Sequence, residues 1–166
     1  MRTGVALGSN LGDRGRLLAA ARQHLLPLHE GPGPFLCSRV YETDPVDCPE
    51  GSPAFWNAAI ELSTSLAPLE VLDALQAIEA KLGRPAQHGF HAPRTIDLDL
   101  LYCDAISLTC DRLTLPHPRI AERLFVLRPL ADICPDRILP GMKNNLRDTC
   151  AAQGSGSAVV GPFPIV

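Results

Sequence analysis

The chain has 166 residues and a formal net charge of −3. This length fits one domain with a sizeable hydrophobic core, and the acidic balance argues against a broad nucleic-acid-binding surface. The apolar runs are too short to span a bilayer and no signal peptide opens the chain. We therefore expect a cytoplasmic monomer with neither a nucleic-acid nor a membrane partner.

The first part of the chain alternates between strand and helix patterns. Its predicted elements are a strand at 3–7, a helix at 17–25, a β-rich segment at 35–43, a Pro-rich loop at 44–53 and a strand at 55–62. Apolar and polar residues alternate in the last of these strands. That alternation predicts a half-buried strand with Phe55 and Asn57 on the same face.

A second helix follows the strand at 55–62. Pro68 suits the first turn of this helix, and Gly83 supplies its C-terminal stop. Gln76 and Glu79 are three residues apart and are predicted to lie together on its polar side. A loop then leads to one more strand pattern, which begins near residue 96.

The order strand, helix, strand, strand, helix, strand predicts an α+β fold. We expect a ferredoxin-like βαββαβ core, with an antiparallel sheet, helices on one face and additional C-terminal elements. The domain is placed at residues 1–153, and the Gly-, Ser- and Pro-rich residues 154–166 are predicted to form a flexible C-terminal tail. The six cysteines contain no C-x-x-C pair and are interpreted as reduced, mostly structural thiols.

Two carboxylates interrupt the apolar strand pattern at residues 95–102. Asp97 and Asp99 are two residues apart, so they point the same way, with Cα atoms roughly 6 to 7 Å apart. Their charges reinforce each other unless a cation lies between them. Hard oxygen ligands with few other donors suit Mg²⁺, which completes its coordination with water and substrate phosphates. A solvated outer face is the alternative.

Several motifs, in this order and spacing, resemble the 6-hydroxymethyl-7,8-dihydropterin pyrophosphokinase family. They are Gly8-Ser9-Asn10-Leu11, Phe55-Trp56-Asn57, Gly83-Arg84, the block A-P-R-T-I-D-L-D-L at 92–100 and the block L-T-L-P-H-P-R at 113–119. The resemblance extends from about residue 3 to about residue 130. It implies ATP and a reduced pterin as substrates, transfer of pyrophosphate to the pterin hydroxymethyl group, and release of AMP in folate biosynthesis.

The resemblance also implies roles for individual residues. Asp97 and Asp99 would hold two Mg²⁺ ions, and Arg84 and Arg94 would act with them on the phosphates in catalysis. The implied ATP-binding residues are Gln76, Leu100, Arg112, Thr114, His117 and Arg123. The implied pterin-binding residues are Thr43, Pro45, Val46, Phe55, Asn57 and Phe125, with the two phenylalanine rings stacking on the pterin. Without the family pattern, these rings would be interpreted as core.

The loop at 84–93 departs from the family, in which further basic residues and a tryptophan are frequent. Ala86 and Phe90 stand at two of the arginine positions, and His91 stands at the tryptophan position. A pterin- or nucleotide-binding homologue with impaired turnover is therefore an alternative. A second alternative is a metal-binding ferredoxin-like module that uses His88 and His91.

Overall fold

The computed structural model describes residues 1–45, 48–83, 95–154 and 158–164. The elements, in chain order, are β1 (Arg2–Ser9), α1 (Arg14–Leu25), β2 (Leu36–Cys37), β3 (Val40–Thr43), β4 (Phe55–Ser63), α2 (Pro68–Lys81), β5 (Asp97–Cys103), β6 (Leu108–Thr109), β7 (Thr114–Leu115), α3 (Leu124–Ile133), α4 (Leu146–Ala152) and β8 (Ala158–Gly161). Short 3₁₀ turns follow α1 and precede α3.

Local chemistry fixes the ends of the first two helices. The Asp13 carboxylate accepts the backbone N–H of Arg16 at 3.0 Å and caps α1. In α2, Pro68 occupies the first turn, and the Glu70 carboxylate accepts the N–H of Ala67 at 2.8 Å. Gly83 follows α2 with a φ of +90°, a conformation that glycine adopts without strain, so the predicted stop is where the helix ends.

The large sheet is antiparallel and has the strand order β5-β1-β4-β3-β8, with β2 also paired to β4. The prediction of an antiparallel sheet combined with helices is confirmed. In β1, Gly8 lies between Asn57 of β4 and Asp97 of β5, whereas Gly4 lies between Glu61 and Tyr102. The two ends of β1 therefore face different neighbours.

Helices cover both faces of this sheet. Val5 and Leu7 pack with α1 and α2 in one buried cluster, whereas Ala59 packs with α3 and α4 in a second cluster. The predicted helices on one face are therefore α1 and α2, and the C-terminal helices cover the opposite face. The prediction that the strand at 55–62 is half-buried was wrong, because β4 is a central strand whose residues 57–62 are buried on both faces.

The described part of residues 154–166 includes a strand. β8 pairs with the edge of β3, and Phe163, which is 8% exposed, packs in the cluster with α1 and α2. The domain limit at residue 153 and the flexibility of the tail stay predictions. Within the described ranges, no helix is both long and apolar enough to cross a membrane.

Candidate active site

Asp97 and Asp99 stand at the beginning of β5, on the face of the sheet opposite α1 and α2. Leu98 and Leu100 pack in the cluster with α1 and α2, so the strand alternation turns both aspartates to the other side. Both carboxylates are only partly buried. Asp97 lies opposite Gly8, and Asp99 lies opposite Ala6. The two acids therefore share a face on which the neighbouring strand presents only small residues.

Two side chains fix the backbone around these aspartates. Glu79 of α2 is 8% exposed, and its Oε1 accepts the backbone N–H of Leu98 at 2.7 Å. The Ser9 hydroxyl donates to the carbonyl oxygen of Thr95, just before β5. The prediction that Glu79 lies on the polar side of α2 was wrong. It lies four residues after the buried Leu75, a spacing that puts both on one helix face.

Thr43, Phe55 and Asn57 form a corner at the ends of β3 and β4. The Asn57 Nδ2 donates to the Thr43 Oγ1 at 2.7 Å, and Thr43 lies opposite Phe55 in the strand register. A Cβ placed on Gly8 would lie 3.3 Å from the Asn57 Oδ1 and 3.8 Å from the Phe55 ring. Because Gly8 has no side chain, the space between Asn57 and Phe55 above β1 stays unfilled by this residue. Pro45 follows nearby in the chain, whereas Val46 is outside the described residues.

The first turn of α3 brings an aromatic ring and a cation to the same face of the sheet. Phe125 packs against the cluster formed with α3 and α4. The Arg123 guanidinium carbon lies 5.6 Å from the centroid of the Phe125 ring. This is within the range of a cation–π contact. The contact orients a positive group beside an aromatic surface.

His117 lies close to Asp97 and to the two cations Arg119 and Arg123. Burial lowers the pKa of His117, the positive charges of Arg123 and Arg119 lower it further, and Asp97 opposes the shift. The Nδ1 of His117 accepts the backbone N–H of Arg119 at 3.2 Å, so the neutral ring carries its proton on Nε2. His117 is therefore a neutral hydrogen-bond donor near pH 7.

Asp99 also lines a cleft of about 340 Å³. Its lining residues are Leu72, Leu98, Asp99, Leu100, residues 110–114, His117 and Pro118. Of the predicted ATP-binding residues, Leu100, Arg112, Thr114 and His117 line this cleft. Arg112 pairs with Asp73 of α2, which joins the two sides of its rim. Gln76 is exposed on α2 and does not line the cleft.

Arg84 and Arg94 lie outside the described residues, as do His88 and His91. Across the described ranges, no group of three or more His, Cys, Asp or Glu side chains is arranged to hold a metal ion. A cation at Asp97 and Asp99 would therefore need oxygen atoms from water or from a bound substrate, which is how Mg²⁺ is held beside phosphates.

The described residues therefore place Asp97 and Asp99 on one face with the corner of Thr43, Phe55 and Asn57, and Asp99 also lines the cleft. Comparison of the whole chain with known families gives a match. Residues 4–135 match the family described as 7,8-dihydro-6-hydroxymethylpterin-pyrophosphokinase (HPPK). The chain belongs to this family.

Curated relatives and solved structures extend the comparison. The chain is 46% identical over 130 residues to the 2-amino-4-hydroxy-6-hydroxymethyldihydropteridine pyrophosphokinase of Bacillus subtilis, covering 78% of this chain and 76% of that protein. Identity to the enzyme of the same name from Pseudomonas aeruginosa is 43%, with 84% of each chain covered. The fold resembles Plasmodium falciparum HPPK-DHPS with pteroate, with a TM-score of 0.69, 16% identity, and coverage of 91% of this chain and 42% of that longer chain.

Proposed function

We propose that this protein transfers the β,γ-pyrophosphate of ATP to the hydroxymethyl oxygen of 6-hydroxymethyl-7,8-dihydropterin in folate biosynthesis. The hydroxyl oxygen forms a bond to the β-phosphorus, and the bond from that phosphorus to the α,β-bridging oxygen breaks. AMP leaves with the electron pair, and the hydroxyl proton passes to solvent. The products are AMP and the pterin diphosphate, as the names of the related enzymes suggest.

The observation that carries this proposal is the position of the two acids. Asp97 shares Gly8 as a neighbour with Asn57, whereas Asp99 lines the cleft. Adjacent strands are about 4.8 Å apart, so the backbones of Asn57 and Asp97 are separated by roughly 10 Å. A bicyclic ring with a hydroxymethyl arm spans that distance. The acids therefore lie where the arm of one substrate would meet the phosphates of the other.

Asp97 and Asp99 would hold Mg²⁺, and we retain two ions as the proposed number. Both donors are hard carboxylate oxygens on one face of a strand, which suits Mg²⁺ better than a transition metal. Bound Mg²⁺ would neutralise phosphate charge and polarise the attacking hydroxyl. Glu79 supports this geometry from behind, because it fixes the N–H of Leu98 between the two acids.

The cations and His117 would hold the triphosphate. His117 donates from Nε2, and Arg123 offers a fixed fork of N–H groups that suits phosphate oxygens. Arg84 and Arg94 are proposed to neutralise the charge that develops during transfer. The adenosine would lie in the cleft beside Leu100, Arg112 and Thr114, and Gln76 stays a prediction for that site.

The corner at β3 and β4 would hold the pterin. Asn57 and Thr43 present amide and hydroxyl groups to the polar edge of the ring, and Phe55 and Phe125 supply apolar surfaces for stacking. Pro45 and Val46 are proposed to contribute backbone contacts. Replacing either phenylalanine with Ala should weaken pterin binding by about 1 to 3 kcal/mol, by analogy with base stacking, and leave ATP binding almost unchanged.

We further propose that β1, α1, β3, β4, α2 and β5 form a ferredoxin-like βαββαβ core. The strand order β5-β1-β4-β3, with α1 and α2 on one face, supports this. A cytoplasmic monomer also stays a proposal. Gel filtration of the purified protein tests the oligomeric state.

An assay with purified protein, MgATP and the reduced pterin tests the proposed function. AMP and pterin diphosphate should form in equal amounts, and omission of either the pterin or Mg²⁺ should abolish both. An Asp97→Ala, Asp99→Ala double variant serves as the matched control. Binding of both ligands without AMP release would contradict the proposal and favour the binding homologue with impaired turnover.

A further inference from the structure

β3 is the short strand of the proposed pterin corner. It has four residues, Val40–Thr43, and its register with β4 consists of Tyr41 with Asn57, Glu42 with Trp56 and Thr43 with Phe55. Two of these three pairs contain residues of the corner. A shift of β3 would therefore move Thr43 away from Asn57 and change the edge that the pterin meets.

β8 supplies the second neighbour that β3 would otherwise lack. Glu42 pairs with Ala158, Tyr41 pairs with Val159, and Val40 pairs with Gly161. Without β8, β3 would be an edge strand, and short edge strands are weakly held. Val159 and Val160 are 49% and 43% exposed, so the side chains of β8 itself bury little surface. What β8 provides is backbone pairing along β3.

Phe163 anchors this pairing. It is 8% exposed and packs among the buried residues of the α1 and α2 cluster, two residues after the end of β8. Among residues 158–164 it is the one buried residue, and an aromatic side chain buries a large apolar area. The family match ends at residue 135, so neither β8 nor Phe163 belongs to the matched part of the chain.

We propose that residues 158–164 act as a latch that holds β3 in register and thereby sets the affinity for the pterin. Phe163 is the positioning residue of this latch, and it acts through β8 and β3 rather than by touching the ligand. The inference rests on the proposed function, because it assigns the corner at Thr43 and Asn57 to the pterin. The nucleotide cleft lies beside β5, at the opposite edge of the sheet from β8. A latch on β3 therefore predicts an effect on one ligand only.

The experiment uses the full chain with Phe163→Ala. Backbone hydrogen exchange of residues 41–43 should become faster in the free protein. If β3 is then ordered only about a tenth of the time, the Kd for the reduced pterin should rise about tenfold. The Kd for MgATP should stay within about twofold of the wild-type value. Phe163→Leu, which keeps an apolar anchor, should restore most of both the exchange protection and the pterin affinity.

Leu28→Ala is the matched control. Leu28 packs against the same cluster but lies in the 3₁₀ turn after α1, which belongs to no strand of the sheet. It should lower stability without changing the ratio of the two ligand affinities. Equal loss of pterin and MgATP binding in Phe163→Ala would overturn the latch. So would a Leu28→Ala variant in which the pterin Kd rises, relative to the MgATP Kd, as much as it does in Phe163→Ala.

Unchanged exchange of residues 41–43 in Phe163→Ala would also overturn it, whatever the wild-type protein binds. The exchange measurement needs no ligand. Failure of the wild-type protein to bind pterin would therefore be recognised separately, as a failure of the proposed function.

Discussion

The sheet face that α3 and α4 cover carries acidic residues at both ends of the part formed by strands β1, β4 and β5. The acids at the two ends differ in burial. At one end Glu61 is 2% exposed and is satisfied within the chain. Its Oε1 accepts from the Arg2 Nη2 at 2.6 Å, and its Oε2 accepts from the Arg137 Nη2 at 2.8 Å and from the Tyr102 hydroxyl. At the other end, Asp97 and Asp99 are partly exposed beside small residues. We call the first end, around Glu61, the closed end, and the second end, around Asp97 and Asp99, the open end, where we propose that the substrates bind.

The glycines of β1 show the same contrast. A Cβ on Gly4 would lie 2.3 Å from the Tyr102 ring, because that ring fills the space above the strand. A Cβ on Gly8 would have no atom closer than the Asn57 Oδ1 at 3.3 Å. The structure requires a small residue at Gly4, and the proposed function gives a different reason for one at Gly8. At Gly4 the chain itself occupies the space, whereas at Gly8 we propose that a substrate does.

Removal of a carboxylate at the open end should have the largest effect. Asp97→Ala or Asp99→Ala should lower turnover by orders of magnitude, because metal-assisted neutralisation of phosphate contributes several kcal/mol to the transition state. The free energy of unfolding should change by less than about 1 kcal/mol, since neither side chain belongs to the core. Steady-state kinetics and urea unfolding measure the two effects. Near-normal turnover in either variant would remove the metal assignment.

The closed end should respond in the opposite way. Glu61→Leu leaves Arg2 and Arg137 without their shared acid and should cost about 3 kcal/mol, the lower part of the range for breaking a buried ion pair. The lower value applies because both arginines keep some contact with water. Turnover of the folded variant should match that of the wild type. A large loss of turnover at full stability would contradict the division between the two ends.

Replacing Gly4 or Gly8 with alanine makes the same substitution at each end of β1 and so compares the two ends directly. Gly4→Ala should cost about 1 to 3 kcal/mol in unfolding free energy, because the new methyl group overlaps the Tyr102 ring. Gly8→Ala should leave stability nearly unchanged but raise the pterin Kd about tenfold, or about 1.4 kcal/mol. Calorimetry with pterin and with MgATP gives both affinities. Equal stability losses in the two variants would indicate that Gly8 is only a packing residue.

Glu79 tests whether the backbone between the acids needs its buried acceptor. Glu79→Leu should leave the Leu98 N–H without this partner, at a cost of about 1 to 3 kcal/mol, and should reduce turnover through displacement of the neighbouring aspartates. Glu79→Gln keeps an acceptor of the same shape and is the matched control. It should retain most of the stability. If Gln and Leu are equally damaging, the charge of Glu79 matters and the hydrogen bond alone does not explain its burial.

The elements that form the two ends can largely be predicted from the sequence, because strand alternation and helix stops are local patterns. The alternation near Asp97 predicts the strand, and Gly83 predicts the end of α2. Properties that depend on strand order are not local. Residues 57–62 are buried on both faces because α1 and α2 cover one face of the sheet and α3 and α4 cover the other, and their own alternation does not show this. Glu79 was missed because its acceptor role requires β5, which begins at Asp97, well after α2 ends at Lys81 in the chain. The pairing of β8 with β3 spans more than a hundred residues.

The smallest expected effect is a pH dependence at His117, which belongs to the open end. Its pKa is lowered from the ordinary value of 6.5, first by burial and then by Arg123 and Arg119. The unfolded chain therefore binds a proton at His117 more readily than the folded protein does, so stability falls as the pH drops below 6.5 towards the lowered folded pKa. Above 6.5 this histidine contributes no pH dependence. In His117→Gln the free energy of unfolding should fall less as the pH is lowered from 7.

Urea unfolding of both proteins at several pH values from 7.5 downward measures this difference. Glu122→Gln is a useful control, because Glu122 pairs with Arg119 at 3.6 Å on the surface and should alter the profile little. A ligand provides the functional counterpart. If the triphosphate lies against His117, bound MgATP brings negative charge to the ring and favours its protonated form, so the pKa of His117 should rise. A histidine resonance that titrates at a higher pH in the presence of MgATP would place the phosphates at this end of the sheet, and an unshifted titration would place them elsewhere.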